Sequence, residues 1–100
     1  MYIQFHPAAK LDLQRHVKFL EEAGVLDEQL REFTTAVQEA LAKIEHNPMT
    51  WSFASGSRRV RKVQIRQFRL QVFYIIRPNK VPLILEVAGP GVQPRWRRRL

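Results

Sequence analysis

The sequence predicts an α+β fold in which a two-helix hairpin packs on one face of a mainly antiparallel four-stranded sheet, in the order β-α-α-β-β-β. Apolar residues recur at helical spacing in the first half of the chain, whereas in the second half they alternate or run without interruption. With 100 residues, 45% of them hydrophobic, the chain has the size and composition of one folded domain, residues 1–100.

The first half of the chain predicts one short strand and two helices. Residues 2–5 alternate as a strand, and Pro7 suits the first position of a helix that ends at Gly24. Asp27 is the expected N-cap of a second helix, which Asn47 and Pro48 end. Each helix carries one apolar stripe: Ala9, Leu13, Val17 and Leu20 on the first, and Leu30, Phe33, Val37, Leu41 and Ile44 on the second.

The second half predicts three strands. Residues 59–65 are rich in β-formers, and residues 68–76 alternate between two faces. Residues 81–88 form a nearly continuous apolar run, which is typical of a central strand, with Pro82 at its entrance. If the helices cover the face that carries Phe68 and Tyr74, the opposite face with Arg69, Phe73 and Arg77 is open. The alternative is that the C-terminal tail covers Phe73 and the arginines only frame it.

The charge is strongly segregated along the chain, whose net charge is +8. Residues 1–57 hold five Lys/Arg against eight Asp/Glu, and residues 58–100 hold twelve Lys/Arg against the single acid Glu86. Such clustering attracts polyanions or acidic protein segments. The absence of cysteine and of an apolar run long enough for a membrane span suits a soluble, cytoplasmic protein without a membrane partner.

The candidate binding residues are those of the basic half, where arginine dominates and favours recognition of phosphate or carboxylate groups. Trp96 either stacks on a base or anchors the tail in an apolar groove. Glu86 is expected to partner an arginine. His6, His16 and His46 lack metal spacing, so neither a metal site nor a cofactor is predicted. The anion- or target-binding set is Arg58, Arg59, Arg66, Arg77, Arg95, Trp96, Arg97, Arg98 and Arg99.

Several segments, taken in order, resemble the RelE/ParE superfamily of toxins from type II toxin–antitoxin systems, a family linked to plasmid stabilisation and growth inhibition. They are FHPAA at residues 5–9, ALAKIEHNP at 40–48, RRV at 58–60 followed by Phe68 and VFY at 72–74, LEVA at 85–88 and PRWRRR at 94–99. The β-α-α-β-β-β order is also the fold of that family.

The resemblance implies two possible targets. The chain has Gly89 and Val92 where the family usually has histidine and arginine, which favours a ParE-like toxin that inhibits DNA gyrase by binding. The alternative is a RelE-like endoribonuclease that cleaves mRNA on the ribosome with Arg61, Lys62 and Arg69; a third possibility is a degenerate, non-toxic member. In each case the expected partner is a cognate antitoxin whose acidic, amphipathic segment lies across the basic sheet and the helices.

Overall fold

The structure, a computed structural model, describes residues 3–100. Its helices are α1 (Pro7–Glu22) and α2 (Asp27–His46). Its strands are β1 (Gln4–Phe5), β2 (Arg61–Ile65), β3 (Leu70–Ile76) and β4 (Pro82–Ala88). The predicted α+β order is confirmed; of the predicted first strand, Tyr2 lies outside the described residues. No helix within residues 3–100 has the length and apolar character needed to cross a membrane.

The sheet has the strand order β1-β4-β3-β2. β1 pairs with β4 in parallel, and the other two pairings are antiparallel, so the sheet is mainly antiparallel as predicted. β4 lies between two neighbours, in agreement with its continuous apolar run. Pro82 is its first residue, where a missing N–H is tolerated.

The helix boundaries follow from local hydrogen bonding. His6 Nδ1 accepts the Ala8 N–H at 3.0 Å, which caps the start of α1. Gly24 has φ +74° and ends α1 in the left-handed conformation, as predicted. The prediction for α2 is wrong by one residue, because Leu26 is its N-cap and Asp27 lies in its first turn. There the carboxylate still complements the positive end of the helix dipole.

The predicted start of β3 is also wrong. Residues 66–68 form a 3-10 turn, and Arg69 follows with φ +57°, so the strand begins only at Leu70. Phe68 is drawn out of the strand pattern toward α2, where its ring meets Phe33 edge-on with 5.1 Å between centroids. β2 likewise begins at Arg61 rather than at residue 59.

Two apolar cores lie on opposite faces of the sheet. The helix-side core joins the stripes of α1 and α2 to one face of the strands, including Val63, Val72, Tyr74, Ile84 and Val87. The helices therefore cover the face predicted for them. The tail-side core lies on the other face and comprises Ala54, Val60, Phe73, Ile75, Leu83, Leu85, Ala88 and Trp96.

Candidate functional site

The C-terminal tail, residues 94–100, covers the sheet face that the helices leave free. Trp96 is only 5% exposed and its ring lies 6.3 Å from that of Phe73, which is 2% exposed. The expectation of an open face around Phe73 is therefore wrong, because two large rings and Ile75 bury their apolar area against each other. Of the two roles considered for Trp96, the structure shows the tail anchor.

The tail-side core contains one buried acid. Glu86 is 1% exposed, and its carboxylate accepts the main-chain N–H of Arg95 at 2.7 Å. The sequence predicts an arginine as its partner, and the bond is made to the backbone of one, Arg95. This bond fixes the entry of the tail at the point where the chain returns over the sheet.

A buried ion pair joins the end of the tail to the first helix. Arg99 donates to both carboxylate oxygens of Asp12, at 2.6 and 3.3 Å, and to the carbonyl oxygen of Leu85 at 2.9 Å. The two side chains are 10% and 6% exposed. Hydrogen bonding to Asp12 raises the pKa of Arg99 above its ordinary value, so the guanidinium stays charged. Asp12 also accepts the Val87 N–H at 3.0 Å.

Together these groups close the edge of β4 beyond the short strand β1. β1 pairs only with Leu83 and Ile84, and further along β4 the side chains of Asp12, His16 and Arg99 bind the main-chain groups. His16 Nε2 lies 3.1 Å from the carbonyl oxygen of Val87. Side chains here take the place of a neighbouring strand, so backbone groups that would otherwise invite pairing are satisfied.

The three residues of the nuclease hypothesis do not surround one point. Arg61 shares a face with Val63, and its guanidinium donates to the Trp51 carbonyl oxygen at 2.7 Å and lies 4.1 Å from the Phe53 ring centroid. Strand alternation turns the side chain of Lys62, the next residue, to the opposite face. Arg69 lies in the turn before β3.

Tyr74 lies directly opposite Arg61 on β3. Its hydroxyl donates to the Pro48 carbonyl oxygen at 2.6 Å, and its side chain is fully buried. Burial raises the pKa of Tyr74 to about 12, although the charge of Arg61 acts in the opposite direction. The phenol is therefore neutral and serves to hold the α2–β2 connection.

A small cleft, here called the tail-side cleft, brings together three of the predicted site residues, Lys62, Trp96 and Arg97. It has a volume of about 300 Å³ between the tail and the strands, and its lining includes Lys62, Gln71, Phe73, Trp96 and Arg97. Arg97 is held over the Trp96 ring at 4.4 Å and donates to the Ser55 carbonyl oxygen at 3.4 Å. An ammonium, a guanidinium and an amide can donate hydrogen bonds to an anion, and the residues that line the cleft include no histidine or carboxylate that could act as a general base.

The exposed arginines lie outside the strands of the sheet. They lie in the loop before β2, in the β2–β3 turn, at the end of β3 and in the tail. This exposed arginine set consists of Arg58, Arg59, Arg66, Arg69, Arg77, Arg95, Arg97 and Arg98. Thus Arg99 and Trp96, two residues of the predicted binding set, are structural parts of the fold, and the rest frame the covered face.

Sequence reasoning missed Asp12 and Gln71. Asp12 lies among the apolar positions of α1, one residue before Leu13 of the stripe, and a carboxylate at that place was a signal of a buried partner. Gln71 shares the alternation of Phe73 on β3 and was assigned no role. Within residues 3–100 the His, Asp and Glu side chains form no group of three that could hold a metal ion.

Comparison with known proteins gives one match. A family model described as the ParE toxin of the type II toxin-antitoxin system, parDE, matches residues 3–89. No curated protein and no solved structure matches the chain. The matched region contains both helices and all four strands and ends at Gly89, before the tail.

Proposed function

The chain belongs to the ParE toxin family of type II toxin–antitoxin systems, and from that premise we propose that it arrests growth by binding and inhibiting DNA gyrase in the cytoplasm. A cognate antitoxin neutralises it. Inhibition by binding requires a surface that binds the target, but it requires no general base and no group that stabilises a scissile phosphate.

The observation that carries this proposal is the separation of Arg61 from Lys62. The guanidinium of Arg61 is bound to Trp51 and Phe53 on the helix side, while Lys62 reaches the tail-side cleft. A nuclease that uses both side chains on one phosphate would have to break the contacts of Arg61 first. Binding through the surface requires no rearrangement of these side chains, and the exposed arginine set supplies the long-range electrostatic attraction.

The test is a supercoiling assay with purified gyrase and relaxed plasmid, in parallel with induction of the toxin in growing cells. We expect inhibition of supercoiling in the assay and loss of negative supercoiling in cells, with transcripts intact. Cleaved transcripts with normal supercoiling would refute the proposal. Unimpaired growth would instead support a degenerate member kept for binding its antitoxin.

A second candidate function is a RelE-like endoribonuclease, which the tail-side cleft favours. Lys62, Gln71 and Arg97 line a space large enough for a phosphate group, together with the rings of Phe73 and Trp96. Electrostatic stabilisation by two cations would then carry the reaction without a strong base. Ribosome-dependent cleavage that is abolished by Lys62→Ala, together with normal gyrase activity, would establish this function in place of the first.

The antitoxin, which family membership implies, is proposed to carry an acidic amphipathic segment. The net charge of the toxin favours such a partner, and the affinity of the complex should fall as salt concentration rises. Because the tail occupies the sheet face, we expect the segment to meet the toxin in the loops and the tail, where the exposed arginines lie. A complex whose affinity does not change with salt would contradict this view.

A further inference from the structure

The connection between α2 and β2 exposes large apolar side chains beside arginine. Met49 is 67% exposed and Phe53 is 42% exposed, while Trp51 between them is half-buried. Large apolar side chains are not stabilised by exposure to water. Methionine, aromatic residues and arginine are the residue types enriched where proteins bind each other.

These side chains are held on a rigid frame. The Ala54 N–H binds the Val60 carbonyl oxygen at 2.7 Å, and the Lys62 N–H binds the Ser52 carbonyl oxygen at 2.9 Å, so Phe53 sits in a short ribbon beside β2. On the other side of Arg61, Pro48 is fixed by the hydroxyl of Tyr74. The frame therefore presents the side chains at a low entropic cost of binding.

Arg61 lies at the centre of this arrangement. Its guanidinium is fixed by the Trp51 carbonyl oxygen and covers the Phe53 ring at 4.1 Å. Arg58 and Arg59 are exposed in the loop that leads into β2. The α2–β2 connection thus carries two exposed apolar side chains, and the loop into β2 adds basic ones. The partner that such a surface fits is an acidic protein surface that carries an apolar side chain.

We propose that Met49, Phe53 and Arg61, here called the anchor patch, form the contact through which the toxin holds gyrase. This inference rests on the proposed function and adds the location of the contact to it. The exposed arginine set draws the two proteins together, and the anchor patch supplies the short-range contacts that slow dissociation. The tail-side cleft is not needed for this contact.

The experiment titrates purified wild-type toxin and variants against gyrase holoenzyme in the supercoiling assay. Phe53→Ala is expected to raise the half-inhibitory concentration about tenfold or more, and Met49→Ala about threefold to tenfold, as for central interface residues. Phe19→Ala is the matched control, since Phe19 is 70% exposed on α1 and lies outside the anchor patch. It should inhibit like the wild type.

Each result decides a separate point. If the wild type inhibits gyrase and the three variants inhibit equally well, the anchor patch is refuted while the proposed function stands. If the wild type does not inhibit gyrase, the proposed function is refuted, and the assignment of the patch to gyrase is refuted with it. A wild-type dimer that Phe53→Ala converts to a monomer without changing inhibition would show that a second copy covers the patch and overturn the proposal.

Folding of the variants is checked by circular dichroism and thermal unfolding. Should Phe53→Ala unfold the chain, Met49→Glu keeps the test decisive, because that side chain is largely in solvent and a carboxylate there would repel the acidic partner. A folded Met49→Glu protein that inhibits at the wild-type concentration would overturn the proposal.

Discussion

Substitution of Arg99 by alanine should destabilise the protein far more than substitution of its neighbour Arg98. The guanidinium of Arg99 makes two bonds to Asp12 and one to the Leu85 carbonyl oxygen, and both charged groups are buried. Removal of the guanidinium leaves the buried Asp12 carboxylate with the Val87 N–H as its remaining hydrogen-bond donor. Breaking a buried pair in this way costs about 3–5 kcal/mol. Arg98 is exposed, so Arg98→Ala should stay within about 0.5 kcal/mol.

Urea unfolding monitored by circular dichroism measures the difference directly. For a domain of this size each kcal/mol corresponds to about 4–8 °C in Tm, so Arg99→Ala should melt more than about 12 °C below the wild type. The double variant Asp12→Leu with Arg99→Leu should recover part of the loss, because it removes both charges together. Equal stability of Arg99→Ala and Arg98→Ala would refute the argument that the tail is locked to α1.

Three further predictions concern the two cores and the edge of β4. Since burial raises the pKa of Tyr74 to about 12, the stability that the neutral phenol contributes is complete below pH 10 and declines as pH rises from 10 to 12. Tyr74→Phe should remove this decline, as measured by urea unfolding at a series of pH values. Gly89→Ala should lower the free energy of unfolding by about 1 kcal/mol, because the added Cβ would lie 2.9 Å from His16 Cε1 and displace a ring that binds the Val87 carbonyl oxygen. In a His16→Ala background the same substitution should have no such effect. Simple additivity in the cycle of wild type, two single variants and double variant would contradict this prediction. Trp96→Ala should cost about 3–5 kcal/mol and expose the tail-side core to a hydrophobic dye, whereas a stable variant without dye binding would mean that the tail is dispensable.

The sequence predicted the parts of the fold that depend on repeated patterns. Both helices follow apolar stripes of several turns, and the position of β4 follows from an apolar run that only a strand covered on both faces tolerates. The order of elements then allowed few arrangements, since consecutive elements usually pack next to each other.

The turn before β3 could not be predicted in the same way. Arg69 adopts a left-handed conformation without being Gly or Asn, so the local sequence carries no turn signal. What places it there is the tertiary contact of Phe68 with Phe33 on α2. The alternation of residues 68–76 therefore extended the predicted strand two residues too far.

The sequence contained signals that the second face of β3 is covered, but these signals were ambiguous. Phe73 and Ile75 place two large apolar side chains on the second face of β3, which indicates burial on both sides. The arginines at either end of the same alternation suggested exposure instead. Arg61 could likewise have been assigned to the helix side, because it shares the period of Val63 and Ile65 on β2.

The basic charge of the chain thus divides into two classes that the count of +8 does not distinguish. The guanidinium groups of Arg61 and Arg99 bind backbone carbonyl oxygens, a ring and a carboxylate of the domain itself, whereas the exposed arginine set faces solvent. Loss of toxicity on substitution of Arg99 would therefore report unfolding and not target contact. Because the Asp12–Arg99 pair joins the last turn of the chain to the first helix, the tail is an integral part of the domain, and target contacts within it are to be sought at Arg97 and Arg98.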